Sequence, residues 1–289
     1  MMVNSFNEWS PLKEIVVGSP MNYNLAELDL SFKLFFHDNA FLAFYYPSYE
    51  AESDRAVTAA AERRPATQTL KKRYLEELAE DIDELVTTLD QLGVQVHRPM
   101  PLNQMLTFKT PYWEATCIPA LNVRDQAMIL GNEIIETTPQ IRARYFENDL
   151  LKPIFYKYFR AGSRWTTMPK PMLTDHSFDL SYVQAAGRNM VASEAVYRQE
   201  KSEFDVGYEL MIDAAQCVRI GKDILVNVAT ENHEMGLQWL QRHVGDRFRI
   251  HRLYRVTDNH IDSIILPLRP GKLLLRAPQF FDMLPAALQ

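Results

Sequence analysis

Three stretches of this chain are written on one plan, and that repetition constrains the fold more than any other feature. Asp125-Gln-Ala-Met-Ile-Leu-Gly131-Asn-Glu-Ile-Ile-Glu136 is an aspartate, an apolar strand, a Gly-Asn turn and a second apolar strand. Asp213 to Val226 and Asp262 to Leu275 repeat it, with Gly221 and Gly271 at the turns. Glycine accepts the left-handed backbone that tight turns need, so each stretch reads as a β-hairpin. Helical periodicity follows the first two hairpins, over Glu147 to Phe159 and over His233 to Val244, making strand, strand, helix, strand the repeating unit. Such units cannot bury their apolar faces alone and pack against their neighbours. If they ring an axis, the three aspartates at the strand mouths converge.

The rest of the chain agrees with a mixed α/β fold. Lys13 to Gly18 reads as a strand entering a turn, and apolar positions from Leu70 to Leu92 recur at three and four ahead of Gly93, the signature of an amphipathic helix. Val94 to His97 alternates like a strand. Seven aromatics crowd residues 32 to 46, either as core or as a lid over a site, and residues 137 to 210 form an insertion between hairpins that carries Trp165 to Pro171. With 47% hydrophobic residues in 289, the chain can fill a sizeable core. Its net charge of −6 provides no basic field for nucleic acid or anionic lipid. Two cysteines, Cys117 and Cys217, make no disulfide framework, and no run of 18 apolar residues occurs, so a soluble cytoplasmic protein without signal peptide or membrane span is expected.

The residues able to carry chemistry sit at the mouths of the repeats. His260-Ile-Asp262 places an imidazole and a carboxylate two apart, on one face if the segment is an extended strand. Asp213, from another hairpin, could orient that imidazole and stabilise its charged form, leaving Asp125 and Asp262 for another task. A guanidinium is planar, permanently charged and rich in donors, so two facing carboxylates suit it in geometry and in sign. Plainer accounts stand beside this one. His260 with an aspartate is also the pattern of a hydrogen-bonded structural pair, the three aspartates also suit caps of their turns, and the four residues together could ligate a metal, although no HExxH or clustered His/Cys spacing supports that. Both cysteines read as small buried hydrophobes.

The motifs resemble a known family. Asn7 to Gly18, Arg124-Asp125, Gly131 to Glu136, Arg142-Ala-Arg-Tyr-Phe-Glu147, Trp165-Thr-Thr-Met-Pro-Lys-Pro171, Asp213-Ala-Ala215 and His260-Ile-Asp262 stand in the order and spacing of the glycine and inosamine-phosphate amidinotransferases, over essentially the whole chain. The resemblance implies an α/β-propeller (pentein) of pseudo-symmetric ββαβ modules. It implies transfer of the amidino group of L-arginine to an acceptor amine, with release of ornithine, through an amidino-cysteine and without cofactor or metal. It matches Asp213 and His260 to the catalytic acid and histidine, and Asp125 and Asp262 to the carboxylates that bind the substrate guanidinium. The family's nucleophilic cysteine belongs to a glycine-rich motif near the C-terminus that these residues do not contain. Residues 1–289 are therefore expected to be a single incomplete propeller domain lacking its fifth module, unable alone to form the covalent intermediate. Val123, Ile212 and Gln216 depart from the family's usual residues, and Gln279 replaces the arginine of the glycine-specific branch, which favours an amino sugar, a lysine-like amine or a secondary-metabolite precursor as acceptor. The expected partners are thus arginine and an acceptor amine, not nucleic acid or membrane, with a homodimer as the assembly considered. The alternatives are a guanidine hydrolase of the same superfamily, resembling arginine deiminase, and a non-catalytic arginine-binding protein.

Overall fold

The structure, a computed structural model, describes residues 1–23, 29–36, 72–181, 201–257 and 260–289. Most of the expected aromatic cluster (37–46), the charged stretch after it and the polar stretch at 182–200 lie outside the described residues. The chain divides into two compact units.

One unit comprises Lys13–Leu121 and Ile141–Pro153. In it β1 (Glu14–Val16) and β2 (Gln95–His97) pair in parallel, Glu14 opposite Gln95 and Val16 opposite His97. Parallel neighbours need a long crossover, and between them in sequence run α1 (Leu30–Phe36) and the amphipathic α2 (Lys72–Gln91). The stop of α2 is a Schellman motif: Gly93 takes φ +75°, its N–H donates to Asp90 O at 2.9 Å, and Val94 N–H donates to Leu89 O at 3.0 Å. Phe32 of α1 is buried with Ile141 and Ala143, so at this one aromatic the core assignment holds. A hairpin of β3 (Thr107–Lys109) and β4 (Glu114–Thr116) also belongs to this unit.

The second unit, Met1–Leu12, Asn122–Gln140 and Ile154–Gln289, contains the repeats. After the one-turn helix α3 (Val123–Gln126) come β5 (Ala127–Leu130) and β6 (Glu133–Glu136), antiparallel, then α4 (Lys152–Arg160) and β7 (Arg164–Thr167), parallel to β6. The second module has the same order: β8 (Cys217–Ile220) antiparallel to β9 (Asp223–Val228), α5 (Glu231–Val244), and β10 (Arg249–Tyr254) parallel to β9. The third hairpin pairs β11 (Ile265–Arg269) with β12 (Lys272–Leu275). Two 3-10 turns, Pro278–Phe280 and Ala286–Leu288, follow it in place of an α-helix.

The hairpins do not all turn alike. Gly131 and Gly221 stand first in their two-residue turns with φ of +60° and +68°, the position that a type II′ turn reserves for glycine. In the third, Pro270 comes first and Gly271 second with φ +73°, the order of a type II turn, and the ladder slips between Pro267 and Arg269. An unprimed turn matches strand twist poorly, and an irregularity beside it absorbs the mismatch.

The core of the unit lies between the strands of the first two modules and α5, with Ile135, Ile224, Val226, Leu237 and Leu240 at its centre. Thr230 caps α5, accepting from His233 N–H. Two polar ties fix the modules to each other. Glu133, fully buried at the start of β6, accepts from Arg247 Nη1 at 2.7 Å and lies 2.9 Å from His243 Nε2 at the far end of α5. Arg219 of β8 pairs with Glu8 at 2.9 Å and donates to Ile129 O of β5 at 2.8 Å. Both ties lie near the glycine turns, at the ends of the hairpins opposite the aspartates.

Candidate active site

None of the three aspartates lies in a strand; each occupies a tight turn just before one. Asp125 is the third residue of α3, Asp213 precedes a 3-10 turn at Ala214–Gln216, and Asp262 begins a turn closed by Ile264 and Ile265 N–H, both donating to Ile261 O at 2.9 Å. The extended strand that would set His260 and Asp262 on one face does not form: His260 and Ile261 lead into a turn that begins at Asp262. A single turn has no periodicity to betray it; its end caps define it.

Asp213 shows how such a turn is built. Its Oδ1 accepts from Ala215 N–H at 3.0 Å, and its own N–H donates to Gln216 Oε1 at 2.8 Å, a reciprocal capping box. The segment entering it is held by Thr138, just past β6: Ile212 N–H donates to Thr138 Oγ1 at 2.7 Å, and Thr138 N–H returns a bond to Ile212 O at 3.2 Å. Capping leaves Asp213 Oδ2, which lies 3.2 Å from His260 Nε2. One carboxylate thus serves both the turn and the imidazole.

Asp125, Asp213 and His260 come together, each offering a ligand atom within 4.8 Å of the others. Asp125 and Asp213 are buried, while the His260 side chain keeps 22% exposure. Asp262 is not in that group of three; its Oδ2 lies 3.2 Å from Arg124 Nε. Burial works against charge on His260, but the charge and hydrogen bond of Asp213, then the charges of Asp125 and Asp262, outweigh it and raise its pKa above the usual 6.5. The imidazole is thus biased to hold a proton near neutral pH.

A buried amide network supports this pair. Gln216 Nε2 donates to Asn227 O at 3.0 Å, and Gln140 Nε2 donates to Gln216 Oε1 at 2.7 Å. His233 Nε2 lies 2.9 Å from Gln140 Oε1. Ala229 N–H can only donate, and it points at His233 Nδ1, so the proton of His233 resides on Nε2 and is given to Gln140. Asn227 in turn accepts from Val256 N–H at 3.0 Å and donates to Thr257 O at 2.9 Å, while Thr257 Oγ1 donates to His260 O at 3.0 Å. Gln216 and Ile212, two departures from the family pattern, are therefore interior residues beneath Asp213.

Neither thiol suits nucleophilic attack. Burial pushes Cys217 up to about 12 and Cys117 up to about 11, and a thiol must ionise to attack.

No protein-family model matches the chain. Among curated proteins, inosamine-phosphate amidinotransferase 1 of Streptomyces griseus is 33% identical over 284 residues, 97% of this chain and 71% of its own length. The chain belongs to the amidinotransferase family. L-arginine:L-lysine amidinotransferase of Pseudomonas savastanoi pv. phaseolicola is 31% identical, with 94% of this chain and 68% of that protein covered. Two solved amidinotransferases share the fold at 31% identity: the Streptomyces griseus enzyme, with a TM-score of 0.72 over 97% of this chain and 73% of that one, and an enzyme of the saxitoxin biosynthetic pathway of Microseira wollei, at 0.69 over 99% and 73%. The fold of this amidinotransferase is thus of the pentein type.

Within this amidinotransferase, sequence reasoning missed the residues that hold the site residues in place: Arg124, noted only as part of a motif, and Gln140, Asn227 and His233. Arg124 carried a signal in standing beside Asp125. The amides carried none, because their pairing is set by tertiary contacts up to 93 positions apart. No helix among the described residues is long and apolar enough to cross a membrane.

Proposed function

We propose that this chain is the arginine-handling part of an amidinotransferase, with Asp125 and Asp262 gripping the guanidinium of L-arginine and the Asp213–His260 pair moving protons. The observation that carries this is the meeting of Asp125, Asp213 and His260 within 4.8 Å, beside Asp262, in a chain of this family. A thiolate attacks the guanidinium carbon, the bond from that carbon to the substrate's Nε breaks, and His260 gives its proton to that nitrogen so that ornithine leaves. An acceptor amine then attacks the amidino-thioether, His260 takes a proton from it, and the thiolate is expelled. Asp213 keeps the imidazole ready to hold that proton in both halves. Because Cys117 and Cys217 are buried with raised pKa values, the proposal takes the attacking thiolate from outside these 289 residues. The acceptor class is an amino sugar, a lysine-like amine or a related biosynthetic amine, and the setting is the cytoplasm.

The test is incubation with labelled L-arginine and a panel of amines, followed by detection of ornithine and a guanidino product from the enzyme supplied with its thiol-bearing part. Citrulline formed without any amine would replace transfer by hydrolysis. The inert thiols favour a second reading for the 289 residues alone, arginine binding without turnover. Arginine would then raise the melting temperature while no ornithine appears.

A further inference from the structure

We propose that Arg124 is the positioning residue of the guanidinium-binding carboxylates, pinning Asp262 and the turn behind Asp213 to the element that carries Asp125. Standing at the first hairpin mouth, it reaches the other two with its side chain. The backbone belongs to α3, one residue from Asp125. Nη1 donates to Ala214 O at 3.0 Å and Nη2 to Cys217 O at 2.9 Å, the first residue of the 3-10 turn capped by Asp213 and the residue just past its end. Nε faces Asp262 Oδ2 at 3.2 Å. The planar fork of a guanidinium can satisfy two carbonyls and a carboxylate at once, and a lysine ammonium on a flexible stem cannot hold that geometry.

Charge gives the same answer. Asp125, Asp213 and Asp262 bring three negative charges together, and a protonated His260 offsets one. With Arg124 the group carries a net −1, which one arriving guanidinium neutralises; without it the net is −2, and Asp262 is repelled from the other two carboxylates. Pinned by Nε through one oxygen, Asp262 keeps 29% exposure for a second contact. Arg124 thus fixes the clamp without being consumed by it.

This proposal rests on the assignment of Asp262 to arginine binding, and the experiment separates the two. Arg124→Gln and Arg124→Lys are made in the 289-residue chain and followed by thermal melting, by NMR titration of the His260 ring and by calorimetric titration with L-arginine. Arg124→Gln should weaken arginine binding about tenfold and move the His260 midpoint upward, because Asp262 loses its counter-charge. Arg124→Lys should bring the midpoint back while recovering only part of the affinity. In an Asp262→Asn background, Arg124→Gln should add little further loss of affinity. A folded Arg124→Gln chain with unchanged midpoint and unchanged affinity overturns the proposal. If that variant does not fold, Arg124→Lys decides: wild-type affinity and midpoint there show that the fork is not needed. A wild-type chain that binds no arginine refutes the functional assignment instead, and the His260 midpoint then still judges the placement of Arg124.

Discussion

Gly236 in the middle of α5 is where helix propensity and packing predict opposite signs. A Cβ built on it falls 2.6 Å from the carbonyl oxygen of Met211, 2.8 Å from Ile212 Cβ and 3.0 Å from Met211 C. Taken as an isolated helix position, Gly236→Ala should stabilise by about 0.8–1.0 kcal/mol. Two of those three contacts are backbone, however, and the segment they belong to is tied down on both sides. Met211 N–H donates to Asn232 O at 3.1 Å, and Ile212 N–H donates to Thr138 Oγ1 at 2.7 Å. Forcing a methyl into such packing costs about 1–3 kcal/mol. The expected net is therefore a loss of ~0–2 kcal/mol, measured as the change in urea midpoint at constant m-value. The displacement also reaches the site, since Asp213 is the next residue but one after Met211. Its retreat from His260 should lower the imidazole midpoint in an NMR titration. A variant more stable by the full propensity increment, with an unmoved His260 midpoint, would refute the claim that close helix contact sets the position of Asp213.

Three further outcomes are expected. In the native chain at pH 8 neither Cys117 nor Cys217 should react with a thiol-specific dye, and both should react in denaturing urea, since burial raises both pKa values well above that pH. Asp223, held to about 2 by hydrogen bonding to Arg249 and then His251 against some desolvation, should contribute stability above the unfolded carboxyl value of about 3.9 and lose it as pH falls through 2. Asp223→Asn should flatten that acid limb of a stability–pH curve. For His260 the sign is reversed: its folded pKa is raised, so its contribution is complete below about 6.5 and is lost as pH rises through the folded midpoint. Asp213→Asn should lower that midpoint and remove most of this dependence.

The hairpins were legible because two local signals agreed, apolar alternation on both sides and glycine at a turn, and the first two hairpins each extend into a ββαβ module. Helix limits were less legible. Over Glu147 to Leu151 the chain is a 3-10 helix and the α-helix begins only at Lys152, where Pro153 suits a first turn with no intrahelical N–H partner; Thr230 moves the start of α5 two residues ahead of the apolar stripe. The sequence places the aspartates at the strand mouths without showing the turns that carry them. Ala214-Ala215-Gln216 is too short to show a period, and what makes it a turn is the pair of side-chain bonds between Asp213 and Gln216, which spacing alone does not announce. The Gln140–Gln216 contact was invisible for a different reason, since an amide pair joining distant segments leaves no local trace.

Those turns belong to the physical core of the site. Cap and active-site acid looked like rival roles for Asp213, yet the carboxylate has two oxygens, and the fold uses one for each. Oδ1 caps the turn, which locks the rotamer, and a locked rotamer places Oδ2 against His260 without further ordering cost when the site is used. The same economy appears in the two histidines. His233 pairs with the neutral amide of Gln140, and a backbone N–H commits its Nδ1 to accepting, so its proton is fixed on Nε2 and serves structure. His260 faces three carboxylates, which favour its charged form, so its proton is the one available for chemistry. The neighbours of each imidazole, and not its residue type, separate a structural histidine from a proton carrier in this fold.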